Sequence, residues 1–300
     1  MERVMGKYPE WTEEQFEELI NVLGEANAKK LLAGDLTVEF KEVAKVFFDK
    51  YGRRIPQGLL ASVCDANRNF ELTQPGLDYD AQYANRIMRL YDCLGVDTGI
   101  TAKQLRIETE RMLALIRGDS QIVNILNGVW LPVVMPPLTN DDLGTTLEMY
   151  LEGVDRSYTK TFSVRKFYNY RKGTLKDEVS IVNRSRHNQL IERMKQGAVM
   201  GIHFPNPLQG YSISADREQM KTLPKGFILS GMDVVIAMAM YPDVLACGWN
   251  TPGLDLAALS WQSADASLGF WANDDELRFG NAGYLAHAYV DYSGGLLFLG

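Results

Sequence analysis

The sequence predicts an α+β protein: a helical N-terminal module over residues 1–122, then a mixed α/β domain with short antiparallel strands over 123–300. Two observations carry this. Apolar residues recur at helical spacing, between recognisable caps, in five stretches up to Gly118. Beyond Gly118, short β-branched and aromatic runs alternate with helical ones without a regular βαβ rhythm, which favours α+β over a doubly wound sheet. A third observation bears on function. From Leu277 to Gly300 the chain holds no Lys, Glu, Gln, Met or Trp, while Tyr, Asn, His, Asp and Ala stand among glycines.

The elements follow in order. Thr12-Glu-Glu-Gln15 reads as a capping box, in which the Thr hydroxyl and the Gln amide satisfy backbone groups that the first turn leaves orphaned. Phe16, Leu19, Ile20 and Leu23 continue that helix, and Gly24 ends it in the left-handed conformation. Further helices are expected over 25–33, 40–51, 80–94 and 101–117, stopped by Gly34, Gly52, Gly95 and Gly118; Thr101 and Gln104 repeat the capping box. Residues 129–135, interrupted by Pro132, suit an edge strand, because proline cannot donate to a ladder. Strands are expected near 178–183 and 198–204, and helices near 140–153, 185–196 and 232–241. The tail parses as a strand at 276–279, a turn at 280–283, a strand or partly exposed loop at 284–292, a turn at 293–295 and a buried strand at 296–299. The domain boundary is expected near 119–127.

Composition is that of a globular protein, 46% hydrophobic and 23% charged. A net charge of -7 and a pI near 5.2 argue against nonspecific binding to DNA or anionic membranes. Cys64, Cys93 and Cys247 are far apart, with no C-x-x-C, so neither a zinc ribbon nor a disulfide framework is readable and reduced, buried thiols are expected. The opening MERVMGKYPEW lacks the apolar region of a signal peptide, so a cytoplasmic location is expected, with unconventional export compatible with the same sequence. The most apolar stretch, MDVVIAMAMYPDVLA, is too short to cross a bilayer and contains Pro242.

Catalytic signatures are missing: there is no G-x-S-x-G, G-x-G-x-x-G, P-loop or H-E-x-x-H. His187, His203 and His287 are scattered, with His187 expected on a helix surface and His203 in a structural or surface role. Asp274-Asp275-Glu276 has the oxygen density calcium requires but reads as a solvated turn. No catalytic, metal or cofactor site is therefore expected. Residues 156–195 interleave Lys160, Arg165, Lys166, Arg171, Lys172, Arg184 and Arg186 with Tyr158, Phe162, Phe167, Tyr168 and Tyr170. That pattern offers single-stranded nucleic acid both charge and stacking, but strands with one packed and one solvated face are the favoured reading, since the rest of the chain is acidic. From Gly226 onward Arg278 is the only Lys or Arg against eight acids, a field of the wrong sign for a phosphate backbone. The same tail has the Tyr, Ser, Gly, Asn, Asp and His palette of an antibody paratope, in which tyrosines give contact area with few torsions to freeze.

Several segments carry a family resemblance: Leu23–Val38 (LGEANAKKLLAGDLTV), Phe204–Gln219 (FPNPLQGYSISADREQ), Met240–Leu245 (MYPDVL), Leu259–Ser263 (LSWQS) and Ser293–Gly300 (SGGLLFLG). They resemble proteins of small-genome candidate-phylum bacteria whose C-termini are similar to the variable proteins of diversity-generating retroelements. The resemblance implies a C-type-lectin-like fold, of the branch that includes formylglycine-generating enzymes, over 123–300, with a variable surface at about 264–293. In that family, adenine-directed mutagenesis rewrites mainly Asn codons that end in a pyrimidine. Such codons cannot yield Lys, Glu, Gln, Met or Trp, the set missing after Leu277. Carried over, the display positions are Asp265, Phe270, Trp271, Asn273, Arg278, Asn281, Ala282, Tyr284, His287, Tyr289, Asp291 and Tyr292. Trp271 and Glu276 do not arise from such a codon, which leaves the upstream limit open; Trp271 is then a fixed contact, and for Phe270 and Trp271 burial in the core is the competing reading. Trp261 is expected as a core anchor and 296–299 as the closing strand. The implied function is noncatalytic recognition of a protein or cell-surface ligand. Alternatives are nucleic-acid association through 156–195 and an oxidase of formylglycine-generating type, for which Cys247 has no partner thiol nearby in sequence.

Overall fold

The computed structural model describes residues 17, 20–36, 46–65, 70–282 and 284–300, in two compact units that divide between Ala44 and Lys45. In the first unit, α1 (Glu25–Ala33) forms as expected and ends at Gly34, whose φ of 80° lets its N–H reach back to the last turn. The capping box at 12–15 lies outside the described residues. So does the start of the helix expected at 40–51, and its described end is not helical: Phe48 pairs with Arg54 in a β-bridge. The cause is local. Asp49 Oδ1 accepts the N–H groups of Tyr51 and Arg53, at 2.8 and 2.9 Å, and so competes with helical bonding.

In the second unit, α2 (Asp80–Leu94) and α3 (Ala102–Arg117) match their expected bounds. Thr101 accepts from Gln104 N at 3.2 Å while Gln104 Oε1 accepts from Thr101 N at 2.8 Å, so the predicted capping box is present. These helices join the core of the elements that follow them. Tyr83, Leu90, Cys93, Leu94 and Leu105 share one core with Val133, Leu147, Tyr150 and Val235. The apolar stripes of α2 and α3 thus face the elements that follow them.

After a 3-10 turn at Val123–Asn127 come β1 (Leu131–Met135), α4 (Leu143–Thr161), β2 (Lys166–Asn169), β3 (Val179–Ile181), α5 (His187–Gln196) and β4 (Val199–Gln209). The second half adds α6 (Ile213–Gln219), β5 (Phe227–Leu229), α7 (Met232–Met240), α8 (Pro242–Leu245), β6 (Gly253–Asp255), β7 (Leu259–Trp261), β8 (Leu268–Ala272), β9 (Glu276–Asn281) and β10 (Tyr292–Phe298). The α+β expectation is met by helices packed on a mixed sheet. Helix α4 runs past Gly153, where the sequence suggested a stop. A Cβ there would run into the Leu94 side chain, so this glycine serves the close approach of α2 and α4.

The large sheet runs β1-β4-β10-β6-β8-β9-β2, with β5 also on β10; β3 and β7 form a separate ribbon. Strand β10 is its centre. It pairs antiparallel with β4, antiparallel with β5 at Leu296–Phe298 and parallel with β6 at Tyr292–Gly294. Leu296, Leu297 and Phe298 are buried, as an all-apolar central strand requires. Strand β1, carrying Pro132, is an edge as expected.

Two expectations for core residues change. His187, expected at a helix surface, is fully buried: Nδ1 bonds Leu229 O at 3.1 Å and Nε2 accepts from Met232 N at 3.1 Å. Of the three thiols, only Cys93 is buried; Cys64 is intermediate and Cys247 exposed. Trp261 is a core residue as expected, 6% exposed, with the Arg171 guanidinium 4.7 Å from its ring.

Candidate functional site

Residues 282 and 284–291, between β9 and β10, lie outside regular structure, and their backbone is anchored at several points. Ala282 N donates to Ser267 O at 3.0 Å, and Ser214 N to Leu285 O at 2.9 Å. Near the end of the loop, Gln209 Nε2 donates to Val290 O at 3.2 Å and Gly253 N to Asp291 O at 2.8 Å. Leu285 packs into the core beside α6. The main chain is thus tied to β4, α6, β6 and the residue ahead of β8 through its own N–H and C=O groups, which any side chain would leave in place. Side chains on the other side of the loop face outward: Tyr284 is 84% exposed, and Ala286, His287 and Tyr289 are exposed as well.

Tyr284, His287 and Tyr289 border a cleft of about 260 Å³. Tyr284, His287, Tyr289 and Tyr292 form one side, and Trp271 from β8 and Asn281 from β9 another. Tyr211, Ile213 and Asp255 complete it. The aromatic rings touch in series, His287–Tyr289 at 4.6 Å and Tyr289–Tyr292 at 5.7 Å between centroids. Tyr292 lies against β6 at Gly253, where a Cβ would come within 2.6 Å of its Cε1. Trp271 continues outward into a stack with Tyr170 at 6.3 Å and then Tyr168, at 6.5 Å from Tyr170. Larger hollows lie beside Arg53 (about 340 Å³) and along the β3–β7 ribbon (about 560 Å³); neither includes a predicted display position.

The cleft is acidic at its base. Asp255 is 4% exposed and burial pushes its carboxyl up to about 7, with Asp291 adding to the rise. Fully buried Asp216 on α6 is held well above the carboxylate range by burial and then by Asp255. Burial, with Asp255 and Asp291 nearby, raises the Tyr292 hydroxyl to about 12.

No family model, curated protein or solved structure matches this chain.

Of the twelve predicted display positions, six converge on the cleft: Trp271, Asn281, Tyr284, His287, Tyr289 and Tyr292. Asp291 is half-buried beside it, near enough to act on Asp255 and Tyr292. Arg278 lies across the β8–β9 pair from Trp271 and is bound to Glu276, while Asn273 closes the β8–β9 turn through Glu276. Asp265 is exposed in the turn before β8. Phe270 and Ala282 are corrections. Phe270 is 1% exposed and packs on Phe279 at 4.8 Å, because alternation along β8 turns it inward when Trp271 turns outward; Ala282 is 7% exposed against the core. Sequence reasoning missed Tyr211, Ile213 and Asp255. The available signal was an acid inside the apolar run Gly253-Leu-Asp-Leu-Ala-Ala258, where a carboxyl has no reason to be buried for packing alone.

The other polar cluster is sealed. Asp233 Oδ2 accepts from Ser230 Oγ at 2.6 Å and is 2.8 Å from His203 Nδ1, all three side chains at 0% exposure. Serine and aspartate meet on the same side of the imidazole, whereas a nucleophilic triad sets them on opposite ring nitrogens. Among the described residues no three His, Cys, Asp or Glu side chains are grouped to hold a metal ion, and no helix is long and apolar enough to cross a membrane. Asp274 Oδ1 accepts from Trp249 N at 3.3 Å, and Glu276 pairs with Arg278.

The basic stretch is largely engaged within the protein. Arg186 donates to the carbonyls of Met220, Leu223, Pro224 and Phe227 at 2.6 to 3.0 Å. Arg165 donates to Cys247 O at 2.6 Å, Arg156 to Cys93 O at 2.5 Å, and Lys160 pairs with Asp92 at 2.8 Å.

Proposed function

We propose that this chain is a noncatalytic binding protein that presents a diversified C-terminal surface to a protein or cell-surface target. The observation that carries the reading is the convergence of Trp271, Asn281, Tyr284, His287, Tyr289 and Tyr292 on one aromatic cleft whose loop is tied down by backbone groups. Such an arrangement lets identity change without refolding, and a fixed backbone reduces the ordering cost of binding. The C-type-lectin-like frame and the relation to retroelement variable proteins belong to this proposal. They draw support from the residues missing after Leu277 and from a closing strand buried in mid-sheet, which holds the preceding loop at the surface. The nucleic-acid alternative loses ground because its arginines are bonded to backbone carbonyls and its field is opposed by the acidic tail.

The test is a library in which codons 281, 284, 287 and 289 are replaced by NNY. Most members are expected to remain soluble with melting temperatures close to that of the parent. Widespread unfolding would remove the reading. At the genomic level, a near-copy of the coding segment that differs at adenines, beside a reverse-transcriptase gene, is the expected neighbour.

A further inference from the structure

Asp255 ends β6 at the base of the aromatic cleft, 4% exposed, with no hydrogen-bond partner for Oδ1. Behind it both carboxyl oxygens of the fully buried Asp216 also lack partners. Buried, unpaired carboxyls weaken a fold and are kept where something outside the protein pairs with them. None of the groups that face Asp255 is a cation: they are the carboxyls of Asp216 from α6 and Asp291 from the loop, and the neutral hydroxyl of Tyr292 from β10. The nearby Arg217 directs its guanidinium elsewhere, to the carbonyls of Ala257, Leu259 and Ala264 at 3.0 to 3.1 Å. Among the described residues neither Lys nor Arg lines the cleft. Its walls are the rings of Trp271, Tyr284, Tyr289 and Tyr292, whose electron-rich faces attract positive charge.

We propose that the cleft takes a cationic side chain, the guanidinium or ammonium of an Arg or Lys on a bound protein, with Asp255 as counter-ion and the surrounding aromatic rings as its enclosure. This rests on the display reading and adds to it. Asp255 belongs to β6, outside the segment 264–293 that the resemblance marks as variable. A constant anchor for positive charge then lies beneath an exchangeable rim, and targets share the cation while differing in what surrounds it. The carboxyl, raised to about 7, changes to its ionised form in the neutral range once a cation is beside it.

The full chain is titrated with N-acetyl-arginine methylamide, N-acetyl-lysine methylamide and the uncharged citrulline analogue, followed by shifts of the tyrosine ring resonances. Saturable binding of the charged compounds, about tenfold or more tighter than citrulline, is expected. Asp255→Asn should erase that preference, and Asp141→Asn, at an exposed acid ahead of α4, should keep it. Equal binding of citrulline, no saturable binding of any compound, or an unchanged preference in Asp255→Asn overturns the proposal. Tolerance of the loop to exchange is read separately from melting temperatures. A cleft indifferent to charge on a loop that still accepts exchange defeats the cation site alone, whereas a loop that unfolds on exchange defeats the display reading.

Discussion

Trp271 crosses β9 at Gly280: a Cβ on that glycine would stand 3.1 Å from Trp271 Cη2 and 3.6 Å from Tyr170 Cδ2. The absence of a side chain there lets both rings lie over the strand and extend the aromatic surface away from the cleft. Gly280→Val should therefore displace Trp271 while β9 keeps its pairing. The expected result is a changed near-UV circular dichroism signal with a loss of about 1–3 kcal/mol in stability. An unchanged aromatic signal would mean that the stack does not depend on this glycine.

Surface and core residues of the same tail should separate cleanly in stability. The triple variant Tyr284→Ser, His287→Ser, Tyr289→Asn removes exposed rings and should shift stability by no more than about 1 kcal/mol. Phe270→Ala, in contrast, empties a packed site and should cost about 3–5 kcal/mol in denaturant unfolding. Similar losses in both would place the loop rings in the core.

Asp255 makes stability depend on pH in a predictable sense. Its folded carboxyl titrates near 7, above the ordinary value of 3.8, so the folded state holds a proton that the unfolded chain releases. That contribution is fully present below the ordinary value and is lost as the pH rises through about 7. Asp255→Asn should thus exceed the wild type in stability at pH 8, by an amount on the order of a few kcal/mol, with the gap narrowing toward pH 4. Thermal melts of the pair across that range check it. A gap that widens in acid would contradict the assignment.

Arg186 offers a test of the basic stretch. Its guanidinium is bonded to four carbonyls of the 220–227 segment, and its own backbone sits at a φ of 63°. Arg186→Met should lower stability by about 3 kcal/mol, since buried acceptors lose a charged donor. Retention on single-stranded DNA at low salt should be the same for both proteins, as expected of a residue with a structural task.

Much of the helical part was legible because its signals are local. Thr101 with Gln104, Gly95 after Leu94 and Gly34 after Ala33 fix ends by chemistry that a short window contains. Gly153 misled because its role is a contact with Leu94, far away in sequence. The cleft divides in the same way. Tyr284, His287 and Tyr289 stood out by composition, but Asp255 and Tyr211 reach them only because β10 lies between β4 and β6. Alternation along β8 also explains why Phe270 and Trp271, adjacent and both aromatic, part company: one belongs to the core and the other to the cleft.

Strand β10 has a consequence for synthesis. Its neighbours β4, β5 and β6 are all made earlier and must wait, unpaired along one edge, until the ribosome has delivered residue 298. A frameshift or stop anywhere before Tyr292 leaves the sheet with a gap in its middle. Delivery of that one strand and closure of the sheet are thereby the same event.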